Sequence, residues 1–183
     1  MCSLQPRTRR FDPGRTPAYH SASVMSDYII ERRCWLPRPR PDIFAFFADP
    51  RNLTACQPAW ARPTWINEPP PRLDAGALLD FTVRVAFVRT RWRVMVREFD
   101  PPFRFVDAQL WGPFARWEHR HRFLEGPETE TGSVSGTWIE DRVTYSLPWG
   151  PLGRAAHALG AGRRIASLFD FRDACLRSRF GPA

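Results

Sequence analysis

The segment Trp117-Glu118-His119-Arg120-His121-Arg122-Phe123 sets two histidines two residues apart among alternating aromatic and charged side chains. On a β-strand, side chains at i, i+2 and i+4 share a face. Trp117, His119, His121 and Phe123 therefore fall together, opposite Glu118, Arg120 and Arg122. The arginine face is the solvated one, so both imidazoles are expected to point inward. The same parity groups Thr137, Ile139, Asp141, Val143 and Tyr145 on a later strand, and Phe103, Phe105, Asp107 and Gln109 on the preceding one. Where these faces meet, histidines, aspartates, a glutamine and a tyrosine stand among aromatic rings. Buried polar groups are costly unless paired. They form either a satisfied network, with Asp141 or Asp107 accepting from an imidazole, or the orienting groups of a largely apolar pocket. The two readings are compatible.

A His–Asp pair can serve as a general base, and Tyr145 can polarise a carbonyl. His119, His121 and Asp141 are thus the catalytic candidates. The candidate ligand-binding set is Phe81, Trp92, Asp107, Gln109, Trp117, His119, His121, Asp141 and Tyr145. No GxSxG motif marks a nucleophile, and neither GxGxxG nor a P-loop is present. Two histidines two apart plus an aspartate could reach one metal ion, but no third histidine lies nearby in sequence. No metal and no other cofactor is expected.

The elements that must position these residues follow from periodicity and breakers. Tyr28–Trp35 reads as a strand ended by Pro37, Pro39 and Pro41. Asp42–Phe47 reads as a short helix with Pro41 near its first position and Ile43, Phe44 and Phe47 on one stripe. Asp49-Pro50 caps and opens a second short helix through Leu53. Strands follow at Trp60–Ile66, Leu78–Val88, Arg91–Phe99, Phe103–Trp111, Phe114–Leu124 and Val134–Leu147, with a polar loop at Gly126–Gly132. Phe81, Val83, Val85 and Phe87 share one strand face; Trp92, Val94 and Val96 share another. Residues 152–180 switch to a helical period, with Leu152, Ala155, Ala156, Leu159, Ile165, Phe169, Leu176 and Phe180 on a broad stripe. Gly160 and Gly162 inside it imply either a kink or close packing. Turns this short require antiparallel pairing. The expectation is an α+β fold: a curved antiparallel sheet of about six or seven strands, two short helices after the first strand, and a long C-terminal helix across the concavity.

At 183 residues the chain fits one domain, assigned to residues 25–183. Residues 1–24, with scattered prolines and arginines and no apolar period, read as a disordered tail. Met25 is then the start of the folded chain; the tail's functional alternative is an anchor to an anionic surface. The net charge is +8, yet all 27 basic residues are arginine and beyond the tail they interleave with acids. No specific nucleic-acid binding is expected, and no transmembrane segment or secretory leader is visible. The four cysteines form no CxxC pair, which argues against a disulfide framework and fits a reducing, cytoplasmic setting.

Several motifs together carry a resemblance. They are Phe105-Val106-Asp107-Ala108-Gln109, Gly112-Pro113-Phe114, Trp117-x-His119-x-His121-x-Phe123, and Gly136-Thr137 followed by Asp141-x-Val143-x-Tyr145-x-x-Pro148-x-Gly150. With Phe46-Phe47-Ala48-Asp49-Pro50-x-Asn52-Leu53 and Phe169-x-Phe171-Arg172, this order resembles the SRPBCC superfamily, the START-like group that includes polyketide cyclase/dehydrase-like proteins. The similarity is to its small bacterial ligand-binding branch and runs from about Tyr28 to Phe180. It implies a helix-grip fold with a deep apolar cavity. That scaffold hosts carriers, cyclases and receptors alike, so activity does not follow from it. The leading expectation is a non-enzymatic carrier or sensor that holds a hydrophobic or aromatic small molecule, such as a lipid, isoprenoid or polyketide-like compound. The alternative is a cyclase/dehydratase-type enzyme with a His/Asp acid–base pair in the same cavity. A third reading is association of the arginine-rich outer faces with nucleic acid or an anionic membrane. No protein partner is indicated.

Overall fold

The computed structural model describes residues 26–85, 87–126 and 136–181. The tail over residues 1–24, the start at Met25 and most of the loop at 126–132 lie outside the described residues.

Alternating burial organises the strands that carry the histidines and Asp141. On β6 (Arg116–Glu125), Trp117, His119, His121 and Phe123 are buried and their neighbours are not. On β7 (Thr137–Ser146), Thr137, Ile139, Asp141, Val143 and Tyr145 are buried in the same way. Together with β1 (Tyr28–Leu36), β2 (Thr64–Trp65), β3 (Leu78–Val85), β4 (Val88–Asp100) and β5 (Arg104–Trp111), these strands form one antiparallel sheet in the order β1-β7-β6-β5-β4-β3-β2. Consecutive strands are neighbours from β2 to β7, as short turns demand. The first strand pairs with the last, Cys34 opposite Ile139. Register shifts between Arg93 and Val94 and between Val96 and Glu98 interrupt the β4–β5 ladder. Such irregularities bend a sheet and increase its twist, which produces a concave inner face.

Helices cover that face. α1 (Arg40–Ala48) follows β1 and buries Ile43, Phe44 and Ala48. α2 (Pro151–Ala156), a π-helical turn (His157–Ala161) and α3 (Gly162–Phe180) close the chain. Ile165, Phe169 and Leu176 of α3 are buried. Leu176 joins a core of Phe44, Phe105, Phe123 and Ile139; Ile165 and Phe169 join Ile30, Trp117, Val143 and Tyr145. Between α1 and β2, Asp49 caps a 3-10 turn (Pro50–Thr54) by accepting from Arg51 N at 3.0 Å.

The structure revises several expectations. The strand expected at Trp60–Ile66 is reduced to Thr64–Trp65, paired with Thr82 and Phe81. Ala61 N donates to Pro58 O at 2.9 Å in a turn and Pro63 lacks the N–H a ladder needs, so Trp60, Ala61 and Pro63 instead border the cavity described below. Val85 and Phe87, grouped with the buried Phe81 on one strand face, are exposed, Phe87 fully. The β3–β4 hairpin runs out past the elements that could cover it. Phe103 lies in the turn before β5, half exposed, with the Arg40 guanidinium 4.4 Å from its ring centre. Leu152 and Leu159 are exposed because the helical stripe changes phase at the π-helical turn. Both glycine readings are realised there. Gly160 has φ +132°, a left-handed value that interrupts the helix, and at Gly162 a Cβ would lie 2.5 Å from His157 Nε2.

The cysteine expectation is also overturned. Cys56 and Cys175, 119 residues apart, are joined in a disulfide, whereas Cys34 is free and buried. Sequence spacing could not show this, because only the path of α3 across the sheet brings Cys175 onto the segment after the 3-10 turn. The inference from unpaired cysteines to a reducing compartment falls with it. Cross-linking a loop of this length restricts the unfolded chain. Replacing Cys175 by Ser is expected to lower unfolding free energy by about 2–4 kcal/mol in guanidinium titrations. Reductant should lower the wild-type protein similarly and leave the variant unchanged.

Candidate functional site

The concave face and α3 enclose a cavity of about 630 Å³, within the range of small-molecule sites. Its walls are apolar: Phe81, Val94, Phe105, Phe114, Trp117 and Phe169 line it with Phe47 and Leu168. Trp60 and Arg164 also line it, stacked with the guanidinium 4.1 Å from the indole centre. The exposed Val85 and Phe87 contribute from the β3–β4 hairpin.

One patch of this wall is polar, and strand register builds it. Asp107 on β5 is opposite His119 on β6, and His121 on β6 is opposite Asp141 on β7. Side chains directly opposite on neighbouring strands are close enough to pair. His119 Nε2 is 3.2 Å from Asp141 Oδ1. His121 Nδ1 is 2.7 Å from the same oxygen but out of line for a hydrogen bond. On the other side, Asp107 Oδ2 is 3.4 Å from His121 Nε2 and 3.9 Å from His119 Nδ1. The two imidazole centres are 3.8 Å apart. Asp107, His119 and His121 bring three ligand atoms within 4.8 Å of one another.

Charge in the patch is balanced from the helix. Burial alone would raise the Asp141 carboxyl, but the Arg172 guanidinium, helped by His121 and His119, holds it well below the usual carboxylate range. Arg172 lies over the Phe47 ring at 4.7 Å and lines the cavity. His119 is pushed down, first by burial and then by its neighbour His121, against the pull of Asp141. Asp173, beside Asp141, is raised by burial and by that neighbouring charge.

Of the candidate ligand-binding residues, Phe81, Trp92, Asp107, Trp117, His119 and His121 line the cavity. Gln109, Asp141 and Tyr145 do not. Gln109 Nε2 donates to Phe114 O at 2.7 Å, and Phe114 N donates to Gln109 Oε1 at 3.3 Å, so the amide secures the β5–β6 turn. Asp141 stands behind both imidazoles, buried at 4% exposure. The Tyr145 hydroxyl is 2.9 Å from His157 Nε2, and the His157 ring stacks on Tyr28 with centres 3.5 Å apart. Among the catalytic candidates His119 and His121 therefore face the cavity and Asp141 supports them. The sequence reading missed Arg172 and Arg164. Arg172 was legible: with Ile165, Phe169 and Leu176 it keeps a helical 4-3-4 spacing, which puts a charge on the buried stripe.

Comparison with known proteins identifies the class. Residues 36–168 match the sequence model of the family described as polyketide cyclase / dehydrase and lipid transport. The chain belongs to that family. No curated protein sequence matches it. Among solved structures, TTHA0849 from Thermus thermophilus superposes with TM-score 0.60 at 17% identity, covering 83% of this chain and 99% of that one. A START superfamily protein from Mycobacterium smegmatis gives 0.56 at 14%, covering 83% and 96%. The Zhui aromatase/cyclase from Streptomyces sp. R1128 gives 0.56 at 13%, covering 83% and 95%. At these identities the likeness is one of fold, and the fold is the helix-grip arrangement. No helix among the described residues is long and apolar enough to cross a membrane.

The His157 contact gives a pH signature. Burial between Tyr28 and Tyr145 holds this imidazole below its ordinary 6.5. The folded chain thus binds fewer protons than the unfolded chain around and below pH 6.5, and stability falls with acidification. The melting temperature should drop between about pH 7 and pH 5. In His157→Gln the drop should be smaller, measured by circular dichroism at matched ionic strength.

Proposed function

We propose that the chain is a carrier or sensor that holds a hydrophobic or aromatic small molecule, of lipid, isoprenoid or polyketide-like chemistry, in the cavity under α3. The observation that carries this reading is the pairing of an apolar volume of about 630 Å³ with one polar patch on its wall. Aromatic walls supply affinity through burial, and a few fixed polar groups set orientation. Asp107, His119, His121 and Arg172 are the orienting groups, while Phe81, Trp92 and Trp117 supply ring surface. Membership of a family whose description includes lipid transport supports binding.

A second reading has its own support. His119 is buried, faces the cavity and sits between two carboxylates, the setting of a general acid–base imidazole. The aromatase/cyclase neighbour shares the fold. Under this reading His119→Ala or His121→Ala abolishes turnover of a polyketide-like substrate while binding survives. Surface association has less support. Several outward arginines are paired: Arg122 with Glu140 at 3.2 Å, Arg142 with Glu31 at 2.8 Å and Arg93 with Asp80 at 2.7 Å. Such pairs dilute the positive field that nucleic acid or anionic lipid would need.

Leu168 lines the cavity without belonging to the fully buried core. Leu168→Trp should fill part of the volume and weaken binding of anilinonaphthalene sulfonate, or of a long-chain fatty acid, by about tenfold or more (roughly 1.4 kcal/mol). Arg120→Gln, on the outer face of β6, should leave binding unchanged. Equal affinities for Leu168→Trp and wild type would place the ligand elsewhere.

A further inference from the structure

The two imidazoles are wired in a way that ligand orientation alone does not require. Each gives one nitrogen to the same buried carboxylate: His119 Nε2 at 3.2 Å and His121 Nδ1 at 2.7 Å from Asp141 Oδ1. A carboxylate accepts, so the tautomer with the proton on His119 Nε2 satisfies that contact and leaves the lone pair on Nδ1; His121 Nδ1 is out of line for a hydrogen bond, and its Nε2 is the nitrogen turned to Asp107. Those opposite atoms, His119 Nδ1 and His121 Nε2, face Asp107 Oδ2 at 3.9 and 3.4 Å. These separations are beyond ordinary hydrogen-bond lengths. Ligand atoms about 2.0–2.2 Å from one tetrahedral ion would stand about 3.3–3.6 Å apart; the 3.4 Å pair meets this, while the 3.9 Å pair and the 4.8 Å limit on the three atoms require the donors to draw in around an ion.

A further observation points to a cation. Asp107 Oδ2 and Asp141 Oδ1 flank the imidazole pair on opposite sides, which concentrates carboxylate oxygens at this one patch of the wall. A carboxylate holding the far nitrogen of each ligating histidine is the outer shell that histidine metal sites use to fix tautomer and ring orientation.

We propose that Asp107, His119 and His121 bind one divalent transition-metal ion of the zinc–iron type, with Asp141 as the positioning residue for both imidazoles. Nitrogen and carboxylate donors in a two-histidine, one-carboxylate set suit ions of this class. The remaining coordination positions open into the cavity, where water or an oxygen of a bound molecule completes the shell. The sequence reading set metal aside for want of a third histidine; the third donor is Asp107, supplied by strand register. The site stands whether or not an organic molecule occupies the cavity.

The test uses the untagged full chain, stripped with chelator and titrated with Zn²⁺ and with Co²⁺. Calorimetry and elemental analysis should give one ion per chain, and Co²⁺ should develop visible ligand-field bands. Asp107→Asn and His121→Ala should weaken binding at least about 100-fold, and Asp141→Asn about 10–100-fold while the protein stays folded by circular dichroism. His157→Gln should bind as wild type. Zn²⁺ should also shift the ring nitrogen resonances of His119 and His121 in the wild-type protein, a readout that needs no variant to fold. Folded wild-type protein that takes up no stoichiometric ion, ion uptake unchanged in Asp107→Asn, or shifts confined to His20 and His157 would each overturn the site.

Discussion

The Asp141 carboxylate, buried at the centre of β7, is the contact on which the polar half of this molecule depends. An isolated ionised carboxyl in such a place is costly, and it persists only with partners on every side. The sheet supplies two, His119 and His121 across the β6–β7 ladder. The helix adds a positive charge, the Arg172 guanidinium, whose field favours the ionised carboxyl. The histidine contacts that make the carboxylate tolerable also aim two imidazoles at the cavity. Removing one partner would strand the others, which is how a stable polar patch comes to exist in an otherwise apolar wall.

Curvature explains why there is a cavity for the patch to face. The register shifts in the β4–β5 ladder curve the sheet, and residues of α3 and of the concave face line the cavity between them. Leu176 packs into the cluster of Phe123 and Ile139, and Ile165 and Phe169 pack into that of Val143. The helix is held at further points: Arg32 of β1 pairs with Asp170 at 2.9 Å, and Cys175 is bonded to Cys56. At its start, the left-handed Gly160 and the His157–Gly162 contact redirect the chain. A helix pinned at its ends and along one side can span an opening that packing alone would close.

Strand parity made much of this legible in the sequence. The alternation in Trp117–Phe123 and Thr137–Tyr145 has a period of two that burial on one face enforces, so the inward direction of His119, His121 and Asp141 could be read from it. Parity fails where a strand outruns its cover, as at Val85 and Phe87, or where a residue belongs to a turn, as at Phe103. It also gives a face without giving depth. Gln109, Asp141 and Tyr145 have the inward parity yet stand behind or beside the cavity, because packing against Phe114, the two imidazoles and His157 decides what reaches it. The disulfide was illegible for a related reason: it depends on where a helix lands, and no local pattern encodes that.

The cavity-facing donors show why register, more than motif, decides chemistry on this scaffold. His119 and His121 are two residues apart on one strand, a pattern with little meaning alone. Asp107 is separated from them by a turn, and Asp141 by a long connection, yet hydrogen-bonded pairing places one carboxylate on each flank of the imidazole pair. A one-residue slip in either ladder would move a carboxylate to the outer face and leave the rings unsupported. The Gln109–Phe114 clamp at the β5–β6 turn fixes the first of those ladders, and the long β6–β7 pairing from Arg116 to Glu125 fixes the second. Residues with no reach into the cavity therefore determine which atoms face it.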